Sequence, residues 1–220
     1  PEDAHILHPF IETAMEQFLT GEDNSVCSPI NIYFALAMLA ETSTGNSRQQ
    51  ILDALGHSSI ESLRTQANQL WRAHYCSDGQ TDSLFANSVW LDEQYSFQQN
   101  TLSTLGQDHY ASVFTGDLGA EEMNKQLAAW LDSQTGNLLS EYTKQIRMDP
   151  STVFALASTA YFCAGWTDDF NESYTQEQVF HAKDRDVITD FMNQTWMEQT
   201  YYWGENFSAV QLNLTGNHQM

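Results

Sequence analysis

The feature that most constrains this chain is the run STVFALASTAYFCAGW at 151–166. It is the longest apolar stretch, rich in small and β-branched residues, and it lies between Pro150 and Gly165. Side chains of this kind favour a strand, and apolar residues at consecutive positions require cover on both faces. The spacing predicts a central strand over about 153–164. A second stretch, SLFANSVWLD at 83–92, has the same character, with Phe85, Val89 and Leu91 on one face and Leu84, Ala86 and Trp90 on the other. A fold built on these two stretches needs a sheet with material on both sides.

The cover is helical and comes first in the chain. At 5–19, Ile6, Phe10, Ala14 and Phe18 recur every four residues, with Ile11, Met15 and Leu19 beside them, which predicts one broad amphipathic helix ending near Gly21. Ser28 followed by Pro29 is a capping residue with proline at the first helical position. The helix it starts, INIYFALAMLA, is apolar nearly all round and belongs in an interior. Ser47 with Gln50 forms a capping-box pattern for a third helix, closed by Gly56, and a fourth is expected over 60–75. Helices at 98–111 and 121–135 flank a short strand, SVFTGDL. From 176 onward short strands follow: around Phe180, then 187–192, 195–203 and 208–214. Helices first and an antiparallel sheet region later make the class α+β.

Composition excludes several functions. Eight basic residues against 29 acidic ones give a net charge of −21. So few scattered cations cannot build a nucleic-acid surface or hold an anionic membrane. The plain reading of the acidity is a solvated, self-repelling surface. No apolar run reaches about twenty residues, so no membrane span is expected, and the first residues do not form a signal peptide. Three cysteines, Cys27, Cys76 and Cys163, are too few and too far apart for a disulfide framework or a metal knuckle, and two of them read as buried hydrophobes. His5 and His8 lie three apart and read as a solvent-facing pair rather than a metal site. No nucleophile elbow, P-loop or dinucleotide fingerprint occurs, and the adjacent acids Glu121–Glu122 and Asp168–Asp169 read as hydrated. No catalytic residue, cofactor or metal ligand is assigned. Four glycosylation-type sequons, at Asn171, Asn193, Asn206 and Asn213, are close to what chance gives in such a chain.

Several segments, in order, resemble one family. NSVCSPINIYFALAMLAETSTGNSRQQILDALG (24–56), ANSVWLDEQYSF (86–97), MNKQLAAWLDSQTGNLLSEY (123–142), ALASTAYFCAGWTDDF (155–170), FMNQT and AVQLNLTGN are together similar to the serpins, with a bacterial source entertained. The resemblance implies N-terminal helices packed on a large, mainly antiparallel sheet, with a second smaller sheet region. It implies a single domain over 1–220 that stops before the family's reactive loop. Ser28 and Pro29 match the Ser-Pro of the shutter beneath the main sheet. Asn31 stands where the family usually has a second Ser, and Ser158 where it usually has Asn. Trp166 matches the Trp of the breach, Phe170 the Phe closing that segment, and Asn213 departs from the usual Pro.

The implied function is suicide inhibition of a serine or cysteine protease, by insertion of a cleaved loop as a new strand. The small side chains of 153–164 suit a sheet whose strands must part. The alternatives are a non-inhibitory carrier, chaperone or storage protein of the same fold, and an acidic extracellular hydrolase, for which no nucleophile or carboxylate pair is supplied. A secreted or cell-surface location is expected, with the signal peptide outside this chain. So is a second chain or copy completing the sheet. Heparin is not expected to bind, since the helix within 60–75 offers only Arg64 and Arg72 beside Glu61. The exchange of residue types at the shutter predicts that Asn31 and Ser158 are both buried and that Asn31 bonds to Ser158 or Ser28, with a bridging water as the nearest variant; the alternative is two independent substitutions, each satisfied by backbone or water.

Overall fold

The computed structural model describes residues 3–19, 21, 25–195 and 198–220, with the side chains of 3–6 and 217 left aside. The chain forms two compact units. One comprises Pro1–Cys76 with Ser83–Tyr161, the other Ser77–Asp82 with Phe162–Met220.

The first unit is helices on a sheet. Helix α1 spans Asp3–Phe18 and α2 spans Pro29–Thr42. Ser28 caps α2, its hydroxyl accepting the Asn31 N–H at 3.4 Å. Tyr33, Phe34, Ala37, Met38 and Ala40 are all buried, so the helix that is apolar all round does lie in the interior. It is packed on one side with Leu52, Leu55, Leu63, Trp71 and Phe85, and on another with Val89, Leu91 and Leu105. Helix α1 turns a narrower face inward than its periodicity implies. Phe10 meets the Tyr33 ring edge-on at 5.7 Å, and Ala14 is buried, but Met15 and Phe18 are exposed.

Helix α3 covers Gly45–Ala54 and α4 Ile60–His74. The third helix starts two residues before the expected Ser47. Thr44 sits at its cap with no side-chain bond, and Arg48 in its first turn reaches back to the last carbonyls of α2. Cationic donors suit that place, where four carbonyls have no helical partner.

The sheet holds β1 (Cys76–Ser77), β2 (Thr81–Asp92), β3 (Ala111–Gly116) and β4 (Phe154–Ala164). Helix α5, Gln99–Asp108, separates β2 from β3. These two strands pair in parallel, Asn87 opposite Ala111 through Asp92 opposite Gly116, within the mainly antiparallel class expected. A parallel pair needs a crossover, and α5 supplies it. Strand β2 is buried on both faces from Asn87 onward. Its Trp90 side packs against α6, Glu121–Gln134, through Met123 and Leu127, and the Trp90 ring stacks on Phe114 at 4.2 Å. Gly136, at φ +58, ends that helical region, and a Cβ there would stand 2.9 Å from the Tyr161 ring of β4. A short α7, Ser140–Thr143, follows, which no periodicity announced.

Strand β4 pairs with β2, and among the described residues no other strand pairs with it. Only Thr159 of its eleven residues is buried, and Phe154 and Phe162 are exposed.

In the second unit, β5 (Gln176–His181) and β6 (Asp186–Phe191) form one antiparallel hairpin, and β7 (Tyr201–Trp203) and β8 (Ser208–Val210) another. The last two are shorter than the pattern suggested, and Trp196 lies outside the described residues. None of the cysteines is buried: Cys27 and Cys76 are half-buried, Cys163 is exposed, and all three are free. Short apolar runs at strand or helix edges do not place every member inside.

Candidate functional site

Ser28, Asn31 and Ser158 meet where the start of α2 lies under β4. Asn31 Nδ2 donates to the Ser158 carbonyl at 3.1 Å, and the Ser158 hydroxyl donates to Asn31 Oδ1 at 2.6 Å. One amide thus spends a donor and an acceptor on one residue 127 positions away, closing a ring of two hydrogen bonds. Ser28 joins from the other side as the cap of the same helix turn. The bond is direct, with no need of a bridging water. The expected full burial is not met, because Ser28, Asn31 and Ser158 are all half-buried. The strand around Ser158 shares that partial exposure, with Thr159 its one buried residue.

Trp166 lies in the second unit. It forms an isolated antiparallel bridge with Leu214, and its ring meets Phe170 edge-on at 5.3 Å. The Thr167 N–H donates to the Asn213 carbonyl at 3.0 Å, so the position where the resemblance expects proline carries a backbone acceptor, which proline would also offer.

Two buried polar clusters support α2, and neither was legible in the sequence. In the first, Glu41 near the end of α2 accepts two hydrogen bonds from Arg64 of α4, at 2.9 and 3.0 Å, and one from His109 Nε2 at 3.2 Å. Asp108 also lies 3.5 Å from Arg64. Burial pushes the Glu41 carboxyl upward, but the His109 and Arg64 bonds outweigh it and hold it below the usual carboxylate range. The Glu41 bond holds the Arg64 guanidinium higher still. Asn87 of β2 completes the cluster by donating to the His109 carbonyl at 2.8 Å.

The second cluster is neutral. The Ser62 hydroxyl donates to the Ser59 carbonyl at 2.9 Å, so it must accept from His57 Nδ1, 3.1 Å away. His57 Nε2 then accepts from the Tyr33 hydroxyl at 2.7 Å. Burial lowers the His57 imidazole and raises the Tyr33 phenol, so both are held uncharged.

Other sequence candidates do not assemble. His8 is exposed beside Glu12 at 3.5 Å, while the His5 side chain lies outside the described residues. Glu121 pairs with Lys125 on the surface. Among the described residues no group of three or more His, Cys, Asp or Glu is placed to hold a metal ion, and no helix is long and apolar enough to cross a membrane. What the geometry offers is a strand held to a helix by a compact polar ring.

Comparison with known proteins gives that arrangement its context. A family model, Serpin (serine protease inhibitor), matches residues 10–220. Serpin-ZX of Arabidopsis thaliana is 28% identical over 177 residues, 78% of this chain and 45% of the relative. Serpin-Z1C of Triticum aestivum is 29% identical over 182 residues, 79% of this chain and 45% of the relative. The chain therefore spans about half the length of the curated relatives it matches. These relatives are plant proteins and give a bacterial source no support. Among solved structures, Arabidopsis AtSerpin1 in its native stressed conformation superposes with a TM-score of 0.82 at 23% identity, covering 96% of this chain and 56% of that one. Cleaved kallistatin complexed with heparin gives 0.85 at 19% identity, over 100% and 66%.

Proposed function

The chain belongs to the serpin family, and from that premise we propose that it is the N-terminal part of a protease inhibitor that works by loop insertion. The family fold is common to both: helices first, mixed with antiparallel sheets, over a partial serpin domain. The single observation carrying the proposal is β4. It is rich in Ala, Ser and Thr and is held to α2 through Asn31 and Ser158. A strand of that kind can accept a new neighbour without unlocking large interdigitated side chains. The protease target, a serine or cysteine protease, would cleave the family's reactive loop, become acylated by it, and be carried along as the loop enters the sheet. A single serpin domain, a secreted setting and absence of heparin binding belong to the same proposal, the last supported by the net charge of −21.

The test is incubation of the protein, expressed from its complete reading frame, with trypsin-, chymotrypsin- and elastase-like proteases. The proposal expects a band of summed mass that survives SDS. Simple cleavage or no reaction with every class overturns it.

A second reading has an observation of its own. Thyroxine-binding globulin in complex with thyroxine superposes with a TM-score of 0.83 at 18% identity, over 99% of this chain. The same fold can thus hold a small molecule, and a protein that resists proteolysis without trapping the protease would point that way.

A further inference from the structure

A cavity of about 360 Å³ opens between the end of α2 and the start of α5. That is the size range of small-molecule sites. Val89, Leu91, Leu102, Leu105 and Phe154 give it an apolar floor, and Arg48 stands among its lining residues. We propose that this cavity binds a small amphipathic anion, an apolar chain ending in a carboxylate, with Arg48 receiving the headgroup.

Charge complementarity selects that occupant. Arg48 donates Nε to the Ala40 carbonyl at 3.0 Å and Nη2 to the Glu41 carbonyl at 3.4 Å. Two of five guanidinium N–H groups are spent, and both go to neutral acceptors. Among the described residues no carboxylate forms an ion pair with it. The one carboxylate lining the cavity, Glu41, does not compete. Its oxygens are taken by Arg64 and His109, and its side chain is 6% exposed. A ligand with an apolar tail and an anionic head therefore finds a matching surface and an unused fork of donors. A cation would meet Arg48, and a neutral apolar molecule would leave the fork idle. The cavity belongs to the first unit alone and does not involve Asn31, Ser158 or Trp166.

The experiment is isothermal titration with sodium octanoate, and with octanol as the neutral match. The expected result is saturable one-to-one binding of octanoate and roughly tenfold weaker binding of octanol, the worth of a charge-assisted hydrogen bond. Arg48→Gln should weaken octanoate by the same roughly tenfold factor and leave octanol unchanged. Arg48 also holds the last carbonyls of α2, so two further variants keep the test decisive. Arg48→Lys keeps the charge and should bind octanoate better than octanol. Thr101→Phe fills the cavity from α5 and should abolish binding of both. Equal affinity for octanoate and octanol, binding undiminished in Thr101→Phe, or no saturable binding overturns the proposal.

Discussion

At the scale of single residues, the informative positions are polar ones that work in pairs. Asn31 and Ser158 share two hydrogen bonds, so their contributions should be coupled. Asn31→Ala loses both and should cost about 1–3 kcal/mol of stability; Ser158→Ala loses one and should cost less. In urea unfolding the double variant should fall short of the sum, and strict additivity would contradict a shared pair. His57 makes a different prediction, one of pH. Burial holds its folded value below the usual 6.5, and the groups around it are the neutral Tyr33 and Ser62 hydroxyls. On acidification the unfolded chain takes up this proton first. The stabilising contribution is therefore complete above 6.5 and is lost as the pH falls from there through the folded value. Glu41 adds a second, lower window: its folded value is depressed, so its contribution is present above the usual 4.5 and lost below it. Melting temperature against pH should bend twice, and His57→Gln should remove the upper bend only.

At the scale of elements, the sequence marked what local chemistry fixes. Ser28 before Pro29 marked the start of α2, and the two-faced apolar pattern of 83–92 marked a strand covered on both sides. What it could not show depends on distance along the chain. Glu41 and His109 are 68 residues apart, and no periodicity links them. The pairing of Asn31 with Ser158, 127 residues apart, was reached only because a family resemblance set the two positions opposite each other. The capping box at Ser47 misled because Ser and Gln at that spacing are common, whereas Arg48 had a stronger partner in the end of α2. Helical phase turns Met15 and Phe18 inward, yet both are exposed, because phase says nothing about how wide the neighbouring surface is. Gly136 is an element-scale constraint that can be tested. Its φ of +58 opposes replacement, and so does the Tyr161 ring, 2.9 Å from where a Cβ would stand. Gly136→Ala should destabilise by about 1 kcal/mol or more, measured by thermal unfolding. A neutral effect would mean that α6 and β4 shift apart freely.

At the scale of the whole molecule, charge and exposed apolar surface pull in opposite directions. A net charge of −21 repels polyanions, and of the cations on α4, Arg64 is already engaged with Glu41 and Asp108. The protein should pass through a heparin column at physiological salt, unlike the kallistatin solved with heparin; retention would contradict this. Yet Trp203 is 75% and Ile188 71% exposed, and Tyr201, Tyr202 and Phe207 are exposed in the same unit. Surface of that kind seeks a partner. The 220-residue chain should elute as more than a monomer in size-exclusion chromatography, and as smaller species when a covering chain is co-expressed. A monodisperse monomer that unfolds cooperatively would refute it.

The ring joining Asn31 to Ser158 has a mechanical corollary. One of its two bonds is made by the Ser158 hydroxyl and the other by the Ser158 backbone carbonyl. The hydroxyl can rotate away from Asn31 while the amide still holds the carbonyl, so the joint lets go in stages, side chain first and backbone second. A strand fastened in that way can loosen before it leaves, and the first stage costs one hydrogen bond rather than two.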